Sequence, residues 1–95
     1  MTLHRLGPFT LDTRTLLLMR EEEIVKVPMK TVEVLHALLL RRGEIVTKDE
    51  LMKAVWPDSI VEEGNLTVHV ALLRKVLGAD APIETIPKRG YRLLK

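Results

Sequence analysis

The sequence predicts an α+β fold in which a small antiparallel sheet of four strands precedes three helices and a closing β-hairpin. Three observations carry this reading. Up to residue 28 the apolar residues come in short runs cut by turn signals. From Met29 the apolar spacing becomes helical and stays so, with two interruptions, as far as Leu77. Beyond Gly78, two short apolar runs flank the sequence Pro87-Lys88-Arg89-Gly90. Ninety-five residues suffice for one core and not for two. A single domain over 1–95 is therefore expected, made of a sheet (1–28), a three-helix core (29–78) and a hairpin (82–95).

The strand candidates are Leu3 to Leu6, Phe9 to Leu11, Thr15 to Met19 and Ile24 to Val27. Gly7-Pro8, Asp12-Thr13 and Glu21-Glu22-Glu23 separate them, the glutamates reading as a solvated hairpin turn. The first helix is expected over Met29 to Arg42, with Met29, Val32, Leu35, Leu38 and Leu39 facing the core and Arg41 and Arg42 at the end that the helix dipole makes negative. Gly43 stops it, and Ile45-Val46 is long enough only for a brief extended link. Thr47-Lys48-Asp49-Glu50 matches a capping box, so a second helix begins there, carries Leu51, Val55 and Trp56, and ends at Pro57. Residues 57–64 form a connector whose acidic end can already belong to the third helix. That helix runs to Leu77, and its core stripe is Leu66, Val70, Leu73 and Leu77. At roughly 100° per residue, its opposite face carries Gly64, Val68, Ala71 and Lys75, with Thr67 and Arg74 on one flank and Asn65 and Leu72 on the other. Ile83 to Ile86 and Tyr91 to Leu94 form the hairpin.

Composition excludes several classes of function. With 46% hydrophobic and 29% charged residues the chain is globular. The absence of cysteine removes disulfides, thiolate metal sites and thiol nucleophiles, and suits a reducing compartment. His4, His36 and His69 are too scattered to suggest a metal site. No apolar run reaches the roughly 20 residues of a membrane span and no signal peptide opens the chain, so a cytoplasmic protein is expected. The carboxylates lie mainly at turns, caps and the connector, and no nucleophile, phosphate-loop or metalloprotease motif occurs. Neither catalysis nor a cofactor is expected. The net charge of +2 says little, but residues 74–95 hold Arg74, Lys75, Lys88, Arg89, Arg92 and Lys95 against only Asp80 and Glu84. That end has a balance of +4, whereas the preceding residues hold nine cations against eleven acids.

A helix that enters the major groove of DNA must offer small or polar side chains to base edges and cations to flanking phosphates. The third helix and the basic hairpin turn meet this description, as a winged helix-turn-helix does. Helix and hairpin arrangements of this kind also occur in protein-binding domains, so the pattern leaves both open.

The motifs narrow it. Val-Thr-Lys-Asp-Glu-Leu (46–51), Val-Trp-Pro-Asp (55–58), Val-Glu-Glu-Gly-Asn-Leu-Thr-Val-His-Val (61–70), Leu-Arg-Lys-Val-Leu-Gly (73–78) and Ile-Glu-Thr-Ile-Pro-Lys-Arg-Gly-Tyr-Arg (83–92) together resemble the OmpR/PhoB-type transcriptional regulator C-terminal domain. Gly-Pro-Phe-Thr-Leu-Asp (7–12) resembles that family's N-terminal sheet. The resemblance implies sequence-specific binding of double-stranded DNA, with the third helix in the major groove and the hairpin wing at the adjacent minor groove. It implies DNA-facing positions at Asn65, Thr67, Val68 and Arg74, with Lys75 on the same side, a phosphate approach by Trp56, and wing contacts by Thr85, Lys88 and Arg89. Many family members carry arginines where this chain has Ala71 and Leu72, so contact with thymine methyls is the alternative there, and packing is a second alternative for Leu72.

The remaining readings are structural. Trp56 is expected to be partly buried, His69 to hold a structural hydrogen bond, and Tyr91 to anchor the wing. Arg92 is either solvated or a phosphate contact. In the resembled family the loop before the third helix can touch RNA polymerase, which makes Asp58, Glu62 and Glu63 candidates against the alternative of a solvated loop. Paired binding to direct repeats is a further implication. A protein-interaction module contacting RNA polymerase or another regulator is the rival function. The chain contains no receiver domain. A sheet motif directly after Met1 suits a regulator whose DNA-binding domain comes first, and equally a piece cut at a domain boundary.

Overall fold

The computed structural model describes residues 3–94; Lys95, counted above with the basic end, lies outside them, as do Met1, Thr2 and the side chain of Asp80. Strands β1 (Leu3–Leu6), β2 (Phe9–Asp12), β3 (Leu17–Arg20) and β4 (Glu23–Ile24) form an antiparallel sheet in sequential order. Gly7 at φ +58° followed by Pro8 makes the two-residue turn between β1 and β2, with Leu6 paired to Phe9. Glu21 and Glu22 both take positive φ in the turn between β3 and β4, the conformation that a two-residue primed turn demands. The fourth strand is shorter than its apolar run: the Val25 amide still donates to the Leu18 carbonyl of β3 at 2.8 Å, and beyond it the chain leads into α1. Period-two alternation turns Leu6, Phe9, Leu11 and Leu18 inward, where they are buried against the helices.

Helices α1 (Met29–Leu40), α2 (Lys48–Val55) and α3 (Glu63–Leu77) follow. Helix α1 buries Val32, Val34, Leu35, Leu38 and Leu39, but Met29 is 58% exposed and not part of the core stripe. It is the first residue of the helix, beside the end of the N-terminal sheet at Ile24 to Pro28. The helix ends two residues earlier than expected, and its two arginines are used in contacts rather than as part of the last turn. Arg42 donates to the Arg5 carbonyl at 2.9 Å. Arg41 donates to Glu50 at 2.6 Å, to Glu44 at 3.3 Å and to the Ile45 carbonyl at 3.2 Å.

The capping box at α2 is complete: Thr47 Oγ1 accepts from the Glu50 amide at 3.0 Å, and Glu50 accepts from the Thr47 amide at 2.9 Å. These bonds, led by the one from the Thr47 backbone, together with Arg41 hold the Glu50 carboxyl below its usual pKa. Trp56 lies one residue past the helix as its C-cap. In α3, Leu66, Val70, Leu73 and Leu77 are all buried, as the spacing requires. A short 3-10 turn, Gly78–Asp80, leads to the hairpin of β6 (Ile83–Ile86) and β7 (Gly90–Leu93).

The brief link at Ile45–Thr47 is a strand, β5, that pairs antiparallel with β7, so the hairpin belongs to a three-stranded sheet of order β5-β7-β6. Gly90 makes this pairing possible. A Cβ there would lie 2.0 Å from the Val46 carbonyl oxygen and 2.7 Å from the Thr47 Cα. Tyr91 and Leu93 are buried from the same strand.

Candidate nucleic-acid interface

The outer face of α3 is open to solvent. Gly64, Asn65, Thr67, Val68, Ala71, Arg74 and Lys75 are exposed, and Leu72 is half-buried. Val68 leaves 58% of its surface in water, much more than a core valine would. Leu72 is not one of the half-buried apolar side chains packed on the core, which among the described residues are Leu16, Val25, Val27, Ala37, Met52, Trp56 and Val76.

The opposite side of the helix is fixed by polar as well as apolar contacts. His69 Nδ1 and Thr31 Oγ1 are 2.7 Å apart, and Thr31 is fully buried in α1. The His69 ring also lies 5.8 Å from the Trp56 ring. His69 therefore has the structural hydrogen bond expected of it, and Trp56 is half-buried beside it. Lys30 donates to the Val55 carbonyl at 2.7 Å, placing a cation at the negative end of α2. Together these contacts lock α3 to α1 and α2 and set the direction in which the outer face looks.

The wing lies along the Thr67–Arg74 flank of α3. Arg74 donates through Nε (3.1 Å) and Nη2 (2.7 Å) to the Ile83 carbonyl, and through Nη2 to Thr85 Oγ1 at 2.6 Å. Its guanidinium stands 5.9 Å from the centre of the Tyr91 ring. Arg74 and Thr85, both expected to face DNA, are thus joined to each other across the junction of helix and wing. Arg92 is ion-paired to Glu84 on the neighbouring strand, with Nε 2.8 Å from Oε1.

The wing turn runs Ile86-Pro87-Lys88-Arg89, closed by the Arg89 amide on the Ile86 carbonyl at 3.0 Å. Pro87 supplies the fixed φ of the second position, and Lys88 takes φ +64° at the third, where glycine is usual. Lys88 and Arg89 are both exposed. The Lys48 amide donates to the Arg89 carbonyl at 3.0 Å, tying the turn to the start of α2. An open cleft results, lined by Thr47, Lys48, Asp49, Met52, Glu63, Lys88 and Arg89. At its edge Lys48 Nζ lies 2.9 Å from Glu63 Oε2, and this bond raises the lysine pKa above its usual value.

Of the three connector acids, Asp58, Glu62 and Glu63 are all exposed, but Glu63 is the first residue of α3 and is engaged by Lys48. Ile60, which the sequence reading passed over, stands fully exposed between Asp58 and Glu62. It lies in a connector with Val61 as its only apolar neighbour, too short a run to show a period. Lys48 was missed for a related reason: its place in the capping box accounted for the segment, and the pairing of β5 that brings it to the wing turn was not visible. Among the described residues no three His, Asp or Glu side chains converge to hold a metal ion, and no helix is long and apolar enough to cross a membrane.

Comparison with known proteins bears on this geometry. The family model described as "Transcriptional regulatory protein, C terminal" matches residues 21–93. The chain belongs to the OmpR/PhoB-type family of transcriptional-regulator DNA-binding domains. The transcriptional regulator HilA of Salmonella typhimurium is 42% identical over 78 residues, which are 79% of this chain and 14% of HilA. The chain therefore spans about a seventh of that relative's length. The solved DNA-binding domain of Escherichia coli CadC is 31% identical with a TM-score of 0.79, the match covering 94% of this chain and 88% of that one. The Klebsiella pneumoniae RstA DNA-binding domain, solved in complex with the RstA box, shares the fold with a TM-score of 0.78 at 24% identity over 99% of this chain and 98% of its own.

Proposed function

We propose that this domain binds double-stranded DNA sequence-specifically, with α3 in the major groove and the wing turn at the adjacent minor groove. The observation that carries the reading is the placement of the exposed outer face of α3 beside a wing turn that presents Lys88 and Arg89. In this reading Asn65, Thr67, Val68, Ala71 and Leu72 face the bases, Lys75 and the wing cations grip phosphates, and the Trp56 indole approaches the backbone. Arg74 and Thr85 sit where helix meets wing and act on both. Membership of a family of transcriptional-regulator DNA-binding domains supports the assignment, as does the likeness to the DNA-binding domain of CadC. The domain acts within a longer bacterial regulator in the cytoplasm, and pairs of domains occupy direct repeats.

Selection of bound duplexes from a random pool, read at two salt concentrations, tests this. With about four to six phosphate contacts, the logarithm of affinity should fall with that of salt at a slope of about −4 to −5. Lys88→Ala with Arg89→Ala should make the slope shallower by almost 2 and weaken every sequence alike. Recovery of no enriched sequence, or affinity indifferent to salt, would overturn the proposal.

One observation favours a second contact. The exposed Ile60 flanked by Asp58 and Glu62 forms an apolar tip between two acids, which suits a protein partner such as RNA polymerase. Reversing both charges together with Ile60→Ser should lower transcription and leave DNA affinity intact. A parallel fall in both would refute it.

A further inference from the structure

A domain that selects guanine from the major groove needs a forked or pointed cation on the outer face of its reading helix, and one that selects adenine needs a free side-chain amide with both its donor and its acceptor available. This chain has one of each at the edges of that face: the arginine is turned mainly to the wing, and the amide makes one bond within the molecule while its second N–H and its oxygen stay open. The Arg74 guanidinium gives Nε and Nη2 to the Ile83 carbonyl and Nη2 to Thr85. The Asn65 amide donates to the Glu62 carbonyl at 3.2 Å, behind it at the start of α3. Lys75 remains as a cation, but it lies in the last turn of the helix, where it is placed to meet phosphate.

The centre of the face is apolar. Val68 is 58% exposed, Ala71 is exposed, and Leu72 is half-buried without packing on the core. By helical spacing Val68 and Leu72 stand one above the other, with Ala71 beside them. An exposed valine on a helix whose one arginine is turned toward the wing gains from meeting an apolar group. The major groove presents one such group, the 5-methyl of thymine.

We propose that α3 reads thymine, through contacts of Val68, Ala71 and Leu72 with 5-methyl groups, and that the preferred site of this domain is set by the positions of those methyls. The proposal rests on the DNA-binding reading given above and names its ligand chemistry. It accounts for a face whose centre is apolar while its cations stand at the C-terminal turn and on the wing: the grip is electrostatic, and the choice among sequences is made by shape and apolar contact. It also accounts for the exposure of Val68, which no neighbour in the domain covers.

The test replaces thymine by deoxyuridine, one position at a time, in a duplex selected by the domain from a random pool. This removes a methyl and leaves base pairing and every hydrogen-bonding group unchanged. One to three positions should each lose about fourfold in affinity, the value expected for burying one methyl-sized group. Val68→Ala or Leu72→Ala should abolish the deoxyuridine effect at one of those positions while leaving the salt slope as it was. Circular dichroism of each variant shows that it is folded. Ala71→Arg should move the selected consensus toward guanine at a neighbouring position. If the domain enriches a site and every deoxyuridine is neutral, thymine reading is wrong although DNA binding stands. If no site is enriched at all, the DNA-binding reading itself fails.

Discussion

Replacing Arg74 by lysine keeps the positive charge of α3 and removes the fork that reaches the wing. The native guanidinium makes two bonds to the Ile83 carbonyl and one to Thr85 Oγ1, with lengths between 2.6 and 3.1 Å. An ammonium on a flexible stem is a single point of charge and cannot span both acceptors with the same geometry. Hydrogen bonds from a charged donor contribute about 1.5–3 kcal/mol each when sheltered. Arg74 is exposed, so solvent screening reduces this to about 0.5–1 kcal/mol per bond. Loss of two bonds then costs about 1–2 kcal/mol of folding stability. For a domain of this size that corresponds to a fall in Tm of about 5–15 °C.

The effect on DNA distinguishes two roles for the residue. If Arg74 acts by placing the wing, Arg74→Lys should weaken binding almost as much as Arg74→Ala, and Thr85→Val should reproduce part of the loss. The penalty should also shrink in a Lys88→Ala, Arg89→Ala background, because a wing stripped of its cations gains little from being well placed. Such non-additivity is what residues in one network show. Thermal melts and DNA titrations of the single and combined variants supply the cycle. If lysine preserves both stability and affinity, or if the Arg74 and wing effects simply add, Arg74 touches phosphate directly and the positioning role is refuted.

Three further outcomes follow from the same geometry. Lys88→Gly should raise stability by about 1 kcal/mol, since it relieves a left-handed residue that costs an L side chain about 1–2 kcal/mol, less the extra chain entropy of glycine; a DNA titration on the same protein should show weaker binding, so that melting temperature and affinity move in opposite directions. Gly90→Ala should destabilise by about 3 kcal/mol through its clash with the Val46 carbonyl, measured by denaturant unfolding, and hydrogen exchange should rise first in β5 and β7. His36 has its pKa lowered by burial and by His4, whose ring centroid is 6.2 Å away. Because the unfolded chain takes up that proton first, the histidine's contribution to stability is full above its unfolded value near 6.5 and is lost as pH falls through the lowered folded value. Tm should therefore begin to drop as pH falls below about 6.5, and His36→Gln should flatten the curve.

Elements that signal locally were legible in the sequence. The capping box at Thr47 and Glu50, the stripe of Leu66, Val70, Leu73 and Leu77, and the turn signals of the N-terminal meander each carry their information within a few residues. The outer face of α3 was legible for the same reason, since it is the complement of a strong stripe. Side chains whose partner lies far along the chain could not be read. Arg92 has its Glu84 only because the hairpin register brings them opposite one another, and Arg74 turns toward the wing only because β6 passes beside α3. Three residues at Ile45–Thr47 are too few to show a strand period, and their pairing with β7 depends on a close approach that Gly90 allows.

That unread strand changes how the wing should be viewed. A hairpin attached only at its base would be free to swing and would find the groove by chance. Here β7 is paired on both sides, by β6 and by β5, and β5 runs directly into the capped start of α2. The Lys48 amide holds the turn at Arg89 from one side, and Arg74 holds β6 at Ile83 and Thr85 from the other. The reading helix and the wing turn are thus two parts of one stiff frame, with their separation set by backbone pairing. Stiffness of this kind lowers the ordering cost of docking on DNA. It also ties the wing to α3, so that, in the docking proposed above, a face poor in hydrogen-bonding side chains could still discriminate: the frame would hold Val68 and Leu72 at a fixed depth, and a base step without a methyl there would leave a gap that the domain could not close by shifting.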